Sequence, residues 1–220
     1  MEKAKALLRL VEQRRSASRD GYACLADFQN GIFECDYITP WSKSGHNLNA
    51  SVMIIGQDWV SGDVLSRYPR DSEVAIQGFD PKFPTNSNLN RLLEKHFGLT
   101  RAECYLTNLF VLIKRGNASA SIRLADLVWS AKHFTLKEIE IVSPRLVICL
   151  GLRVFQALMR AAGFKEPSSI EQAIGLPFRL GSSTIHCVAH TGAFGMNNRS
   201  RDRVETDWQE IAKSYARGKI

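Results

Sequence analysis

The sequence predicts an α/β fold, a three-layer α/β/α sandwich around a central four-stranded parallel sheet, formed by one domain over residues 1–220. Three observations predict it. Four short apolar runs, at 51–55, 104–108, 146–150 and 184–189, carry no acidic residue, Lys or Arg, as strands buried on both faces require. Helix-period apolar spacing recurs between them and again after the last. The connections are long enough for the right-handed crossovers that parallel strands need.

The chain opens with an amphipathic helix in which Ala4, Leu7, Leu8 and Val11 follow the i, i+3, i+4, i+7 spacing. Arg14, Arg15 and Arg19 follow, placed either to touch phosphate or to offset the helix dipole. Residues 16–50 hold scattered Gly, Pro, Ser and Asn with weak periodicity, so a long irregular connection over one end of the sheet is expected, with His46 in a structural role. The run at 51–55 is the first strand, and Gly56 then lets the chain turn so that Gln57 and Asp58 emerge at its end. Leu89, Leu92, Leu93 and Phe97 predict a helix capped by Asn88 and stopped by Gly98. The second strand ends at Asn108, and Lys114, Arg115 and Gly116 are expected in a loop.

A long helix is predicted over 122–142, with Leu124, Leu127, Val128, Ala131 and Phe134 on one stripe and Pro144 beyond its end. Residues 146–150 form the third strand, closed by Gly151. Leu152, Phe155, Leu158 and Met159 mark a helix that stops at Gly163. Residues 164–182 read as irregular. The fourth strand, 184–189, ends at His190, and a helix after Ser200 turns Val204, Trp208, Ile211 and Tyr215 inward.

Composition narrows the function classes. The chain has 29 Lys+Arg against 22 Asp+Glu, a net charge of +7 that suits a polyanionic partner. No apolar run approaches the ~20 residues that span a bilayer, and no apolar core follows the basic start, so a cytoplasmic protein is expected. The cysteines, Cys24, Cys35, Cys104, Cys149 and Cys187, are odd in number and form no Cys-x-x-Cys pair, which argues against a disulfide framework. No metal or other cofactor is expected, and a monomer is.

Three strands deliver a polar residue to their C-terminal ends: Asp58, Asn108 and His190. In a parallel sheet those ends share one edge, where ligands bind, so residues distant in sequence converge on one pocket. Each alone has a structural reading, as a cap, a turn residue or a satisfied histidine. Their coincidence at one edge favours a site.

Gly56-Gln57-Asp58 resembles the Gly-Gln-Asp-Pro-Tyr-His motif of the uracil-DNA glycosylase superfamily. The segments from Thr107 to Arg115 and from Pro144 to Gly151 resemble its iron–sulfur branch. The stretch from Phe83 to Asn90 is similar to the one holding the aromatic that stacks on a flipped base, and His190 to Gly195 stands where the family has His-Pro-Ser-Pro-Leu-Ser. The likeness runs from about Ser51 to Arg199.

It implies a monofunctional DNA glycosylase that hydrolyses the N-glycosidic bond of uracil or a related damaged base. Cys24 and Cys35 lie too far apart for the branch's opening cysteine pair, so no cluster is expected. By resemblance, Asp58 and His190 are catalytic, Asp58 orienting a water and stabilising the cationic sugar, His190 donating to uracil O2. Gln57, Phe83, Asn108 and Trp59 are base-binding, with Asn108 pairing O4 and N3–H. Phe194 aligns with the family's DNA wedge, Gly192 lets its loop approach phosphate, and Arg199, Lys114 and Arg115 are expected phosphate contacts.

The absence of a lysine from the strand ends predicts direct hydrolysis without a Schiff base. The family Pro-Tyr is Trp59-Val60 here, which bears on thymine exclusion. The alternatives are a non-catalytic module of the same fold that binds single-stranded DNA or a nucleotide, and an unrelated α/β hydrolase, against which stands the lack of a Gly-x-Ser-x-Gly elbow.

Overall fold

The computed structural model describes residues 2–69 and 73–218. Helix α1 (Glu2–Arg15) buries Leu7, Leu10 and Val11, the stripe that its spacing dictates. Arg14 at its end is buried, pairs with Glu34 and donates to the carbonyls of Cys35 and Tyr37. It therefore anchors the segment that follows, which settles between phosphate contact and structural role. That segment is irregular, as expected, but it holds the two-residue strand β1 (Tyr22–Ala23) and three short 3₁₀ turns.

Strand β2 (Val52–Asp58) comes next, followed by the short helices α2 (Gly62–Leu65) and α3 (Glu73–Gln77), then α4 (Pro84–Phe97). The sequence places a cap at Asn88. Helix α4 instead begins a turn earlier, because Pro84 at its first position is pre-set for helical φ and needs no N–H partner. Asn88 lies inside it and donates to the Thr191 carbonyl at 2.8 Å. Gly98 ends the helix at φ 64°, as its left-handed freedom allows.

Strands β3 (Tyr105–Phe110) and β4 (Ile113–Lys114) follow. The predicted long helix is divided into α5 (Leu124–Ser130), a π turn (Ala131–Thr135) and α6 (Leu136–Val142). Then come β5 (Leu146–Leu150), α7 (Leu152–Ala161), α8 (Ile170–Ile174), β6 (Phe178–Leu180), β7 (Ser183–Val188), α9 (Ala193–Arg199) and α10 (Arg201–Ala216).

The central sheet has the order β3-β2-β5-β7-β6. Its first four strands are parallel, as predicted, and β6 adds a fifth, antiparallel to β7, inside the stretch read as irregular. Alternation along β2 sends Met53 and Ile55 into the core under α1, α5, α6 and α7, and Val52 and Ile54 into the core under α4 and α10. Both layers are thus filled, and each fully buried Leu, Ile or Phe contributes roughly 1.5–3 kcal/mol against exposure. Outside this sheet, β1 pairs with β4, Tyr22 opposite Lys114. Among the described residues, no helix is long and apolar enough to cross a membrane.

Candidate active site

The C-terminal ends of β2 and β3 and the exits of β5 and β7 open onto a cavity of about 470 Å³, lined among others by Asp58, Asn108, Gly151 and His190. The three residues singled out in the sequence therefore line one cavity.

Register explains the position of Asn108. It lies opposite Gly56 in the parallel β2–β3 pair, and a Cβ at Gly56 would stand 2.6 Å from Asn108 Nδ2. The amide thus crosses the space that the glycine leaves free. Asn108 Oδ1 is buried without a hydrogen-bond partner among the described residues. A buried acceptor left unpaired costs about 1–3 kcal/mol, so a ligand N–H at this point would restore what folding removed.

His190 follows β7. Gly192 N–H donates to its Nδ1 at 3.0 Å, which leaves the proton of a neutral ring on Nε2. Burial lowers the pKa of His190, and nearby Asp58 opposes that only in part, so the ring is neutral at pH 7. The loop is built tightly round it. A Cβ at Gly195 would come within 2.0 Å of the His190 carbonyl, and one at Gly192 within 2.9 Å of Nδ1. Gly192, expected to admit phosphate, is here the residue that fixes the imidazole.

Asp58 closes β2 with both carboxylate oxygens engaged. Oδ1 accepts from Gln57 Nε2 at 2.8 Å, and Oδ2 lies 2.9 Å from Lys114 Nζ. Lys114 corrects the sequence reading. Expected in an exposed loop as a phosphate contact, it sits in β4 with 7% of its surface exposed, and it also donates to the Ala118 carbonyl. Depth in the fold and the compensating carboxylate account for the difference, since a lysine this buried needs a partner. The premise that no lysine reaches this edge of the sheet falls with it. The Gln57 side chain, expected at the base, is directed to Asp58.

The aromatic residues form the cavity's other walls. Trp59 lines it, with its indole N–H donating to the Gly78 carbonyl at 2.7 Å and its ring edge-on to Phe33. Phe83 precedes α4 at the lip, 44% exposed. The sequence reading missed Trp41, Phe79 and Tyr68. Trp41 donates to Asn86, and the Arg101 guanidinium stacks over Phe79 at 4.2 Å, its pKa lowered to about 10 by burial. The Tyr68 hydroxyl is buried without a partner among the described residues. None of these gives a periodic signal; an aromatic in an irregular segment was the one available hint.

Of the expected DNA contacts, Phe194 is 84% exposed at the start of α9, and Arg115 is exposed and lines a separate pocket with Tyr22 and Arg123. Arg199 is a second correction. It makes a two-pronged pair with Asp207 of α10, at 2.9 and 3.0 Å, so its guanidinium faces the protein.

The Uracil DNA glycosylase superfamily model matches residues 43–212, more than half of the chain. The chain belongs to the uracil DNA glycosylase superfamily. No curated protein matches the chain significantly. Membership makes the function DNA glycosylase-like in general terms. The matched region holds Asp58, Asn108, Lys114 and His190, whereas Trp41 and the β1 strand precede it. The superfamily's Pro-Tyr is absent after Asp58, and Trp59 and Val60 line the cavity in its place.

Proposed function

We propose that this uracil DNA glycosylase superfamily member hydrolyses the N-glycosidic bond of uracil or a related damaged base in DNA. The observation that carries the reading is Asn108 Oδ1, without a partner among the described residues, in the same cavity as Asp58 and a neutral His190. A base inside the duplex cannot be reached, so it is flipped into the pocket and read there. Asn108 offers an acceptor for N3–H and a donor for O4. Phe83 supplies an exposed ring face for stacking.

As the glycosidic bond breaks, negative charge grows on the base and positive charge on the sugar. His190, with its proton on Nε2, donates to O2 and stabilises the departing anion without first losing a proton to solvent. Asp58 stabilises the cationic sugar and orients the water that attacks it. The water's proton leaves through the carboxylate, and the base takes up a proton after departure. The products are the free base and an abasic site.

The test is incubation with uracil-, thymine- and hypoxanthine-containing oligonucleotides, single- and double-stranded, followed by alkali to break abasic sites. Cleavage of the uracil strand supports the reading. A second reading, a non-catalytic module that binds single-stranded DNA or a nucleotide, draws on the Lys114–Asp58 pair, which occupies one oxygen of the acid in the free protein. Tight, salt-sensitive binding without cleavage of any strand would favour it.

A further inference from the structure

We propose that Lys114 is a positioning residue that acts through Asp58, holding the carboxylate aimed, and not a contact to DNA; the catalytic consequence rests on the glycosylase reading. Its Nζ meets Asp58 Oδ2 at 2.9 Å and the Ala118 carbonyl at 2.8 Å. With Gln57 on the other oxygen, the carboxylate is held from two sides. The Lys114 and Asp58 side chains are 9% and 12% exposed, a depth at which charged groups are found paired.

The backbone of Lys114 is itself fixed twice. Tyr22 of β1 pairs with it in register, and Ser61 bridges it from the other side. Tyr22 is in turn secured, its hydroxyl donating to Asp126 at 2.8 Å and its ring edge-on to Phe110 at 4.7 Å. Residues 22–23 precede the family-matched region, so this chain's own N-terminal segment supports the lysine that holds the acid.

Four variants test it: Lys114→Met, Lys114→Arg, Asp58→Asn and the Asp58→Asn/Lys114→Met double. Excision is measured at saturating enzyme, and DNA affinity is measured separately against salt. Lys114→Met is expected to slow excision by roughly 30-fold, of the order of one lost hydrogen bond to a charged group. Affinity and its salt dependence stay unchanged, and Lys114→Arg recovers most of the rate.

The double variant is expected to be no slower than Asp58→Asn, because residues acting as a unit are not additive. Three results would overturn the proposal. One is a normal rate at saturation with a salt slope reduced by about one, the mark of a lost phosphate contact. Another is an additive loss in the double variant. The third is a Lys114-dependent DNA adduct trapped by borohydride, which would make the lysine a nucleophile.

Reductive methylation followed by peptide mass analysis reads the pairing without activity. Lys114 should be protected relative to exposed Lys82 in the wild type and released in Asp58→Asn. Equal reactivity of Lys114 and Lys82 in the wild type overturns the pairing. A wild type that excises no base, with protection that is lost in Asp58→Asn, refutes the glycosylase reading while supporting the pairing, and protection that persists in Asp58→Asn overturns the pairing.

Discussion

Gly56→Ala separates the site from the scaffold. The new Cβ would stand 2.6 Å from Asn108 Nδ2, where ordinary contact begins at 3.4 Å, so the amide must retreat by about 0.8 Å. Nothing else forces a large change. Trp41 is met at 3.3 Å, and Gly56 has no positive φ to lose. The atom that yields is the end of a side chain, so stability should fall by no more than about 1 kcal/mol. Base recognition should suffer far more. Displacing the amide by this much weakens both of its hydrogen bonds to the base, each worth about 0.5–1.5 kcal/mol, which predicts a roughly 10- to 100-fold loss in kcat/KM. Thermal melting together with single-turnover excision measures both quantities. Wild-type activity with an intact fold would refute the role given to Asn108, and a collapsed fold would refute the claim that the glycine serves the site.

Three further outcomes follow from the same geometry. Glu138 is fully buried beneath Tyr105 and Thr107, and burial raises its pKa from 4.5 to about 7 despite their hydrogen bonds. The folded chain then holds a proton that the unfolded chain has released, so this group's contribution falls as pH rises from 4.5 through 7, by up to about 3 kcal/mol. His186, pushed down to about 4 by burial, works in the opposite sense as pH rises to 6.5. The difference between wild type and Glu138→Gln in denaturant melts at pH 5 and 8 therefore isolates the glutamate, and equal differences at the two pH values would refute it. Arg199→Ala leaves Asp207 buried without its partner and should cost about 2–3 kcal/mol of stability without changing the salt dependence of DNA binding. Phe194→Ala should leave the melting temperature unchanged, because the ring is 84% exposed, yet slow excision from duplex about 10-fold or more while sparing single strands.

The parallel sheet was legible because its strands announce themselves locally. The uncharged runs at 51–55 and 146–150 fit burial on both faces, and Asp58, Asn108 and His190 were found by asking what stands at the strand ends. Strand β6 was not, because three residues, Phe-Arg-Leu, carry too little alternation to be told from a loop. Lys114 and Arg199 read as surface cations since what buries them is tertiary: Asp58 is 56 residues before Lys114, and Asp207 belongs to the next helix. Trp41 reaches the cavity from an irregular segment by packing alone. The start of α4 could have been read correctly, since Pro84 is a stronger helix-start signal than Asn88.

The central claim is that Asp58 and His190 act together to release a base read by Asn108. Mass-spectrometric detection of free uracil from a uracil-containing oligonucleotide tests it most directly, with wild type beside Asp58→Asn and His190→Ala at saturating enzyme. Release by the wild type and a loss of roughly 100-fold or more in each variant is the predicted result. Release that persists undiminished in both variants, or none from the wild type under conditions where it binds the strand, would contradict it.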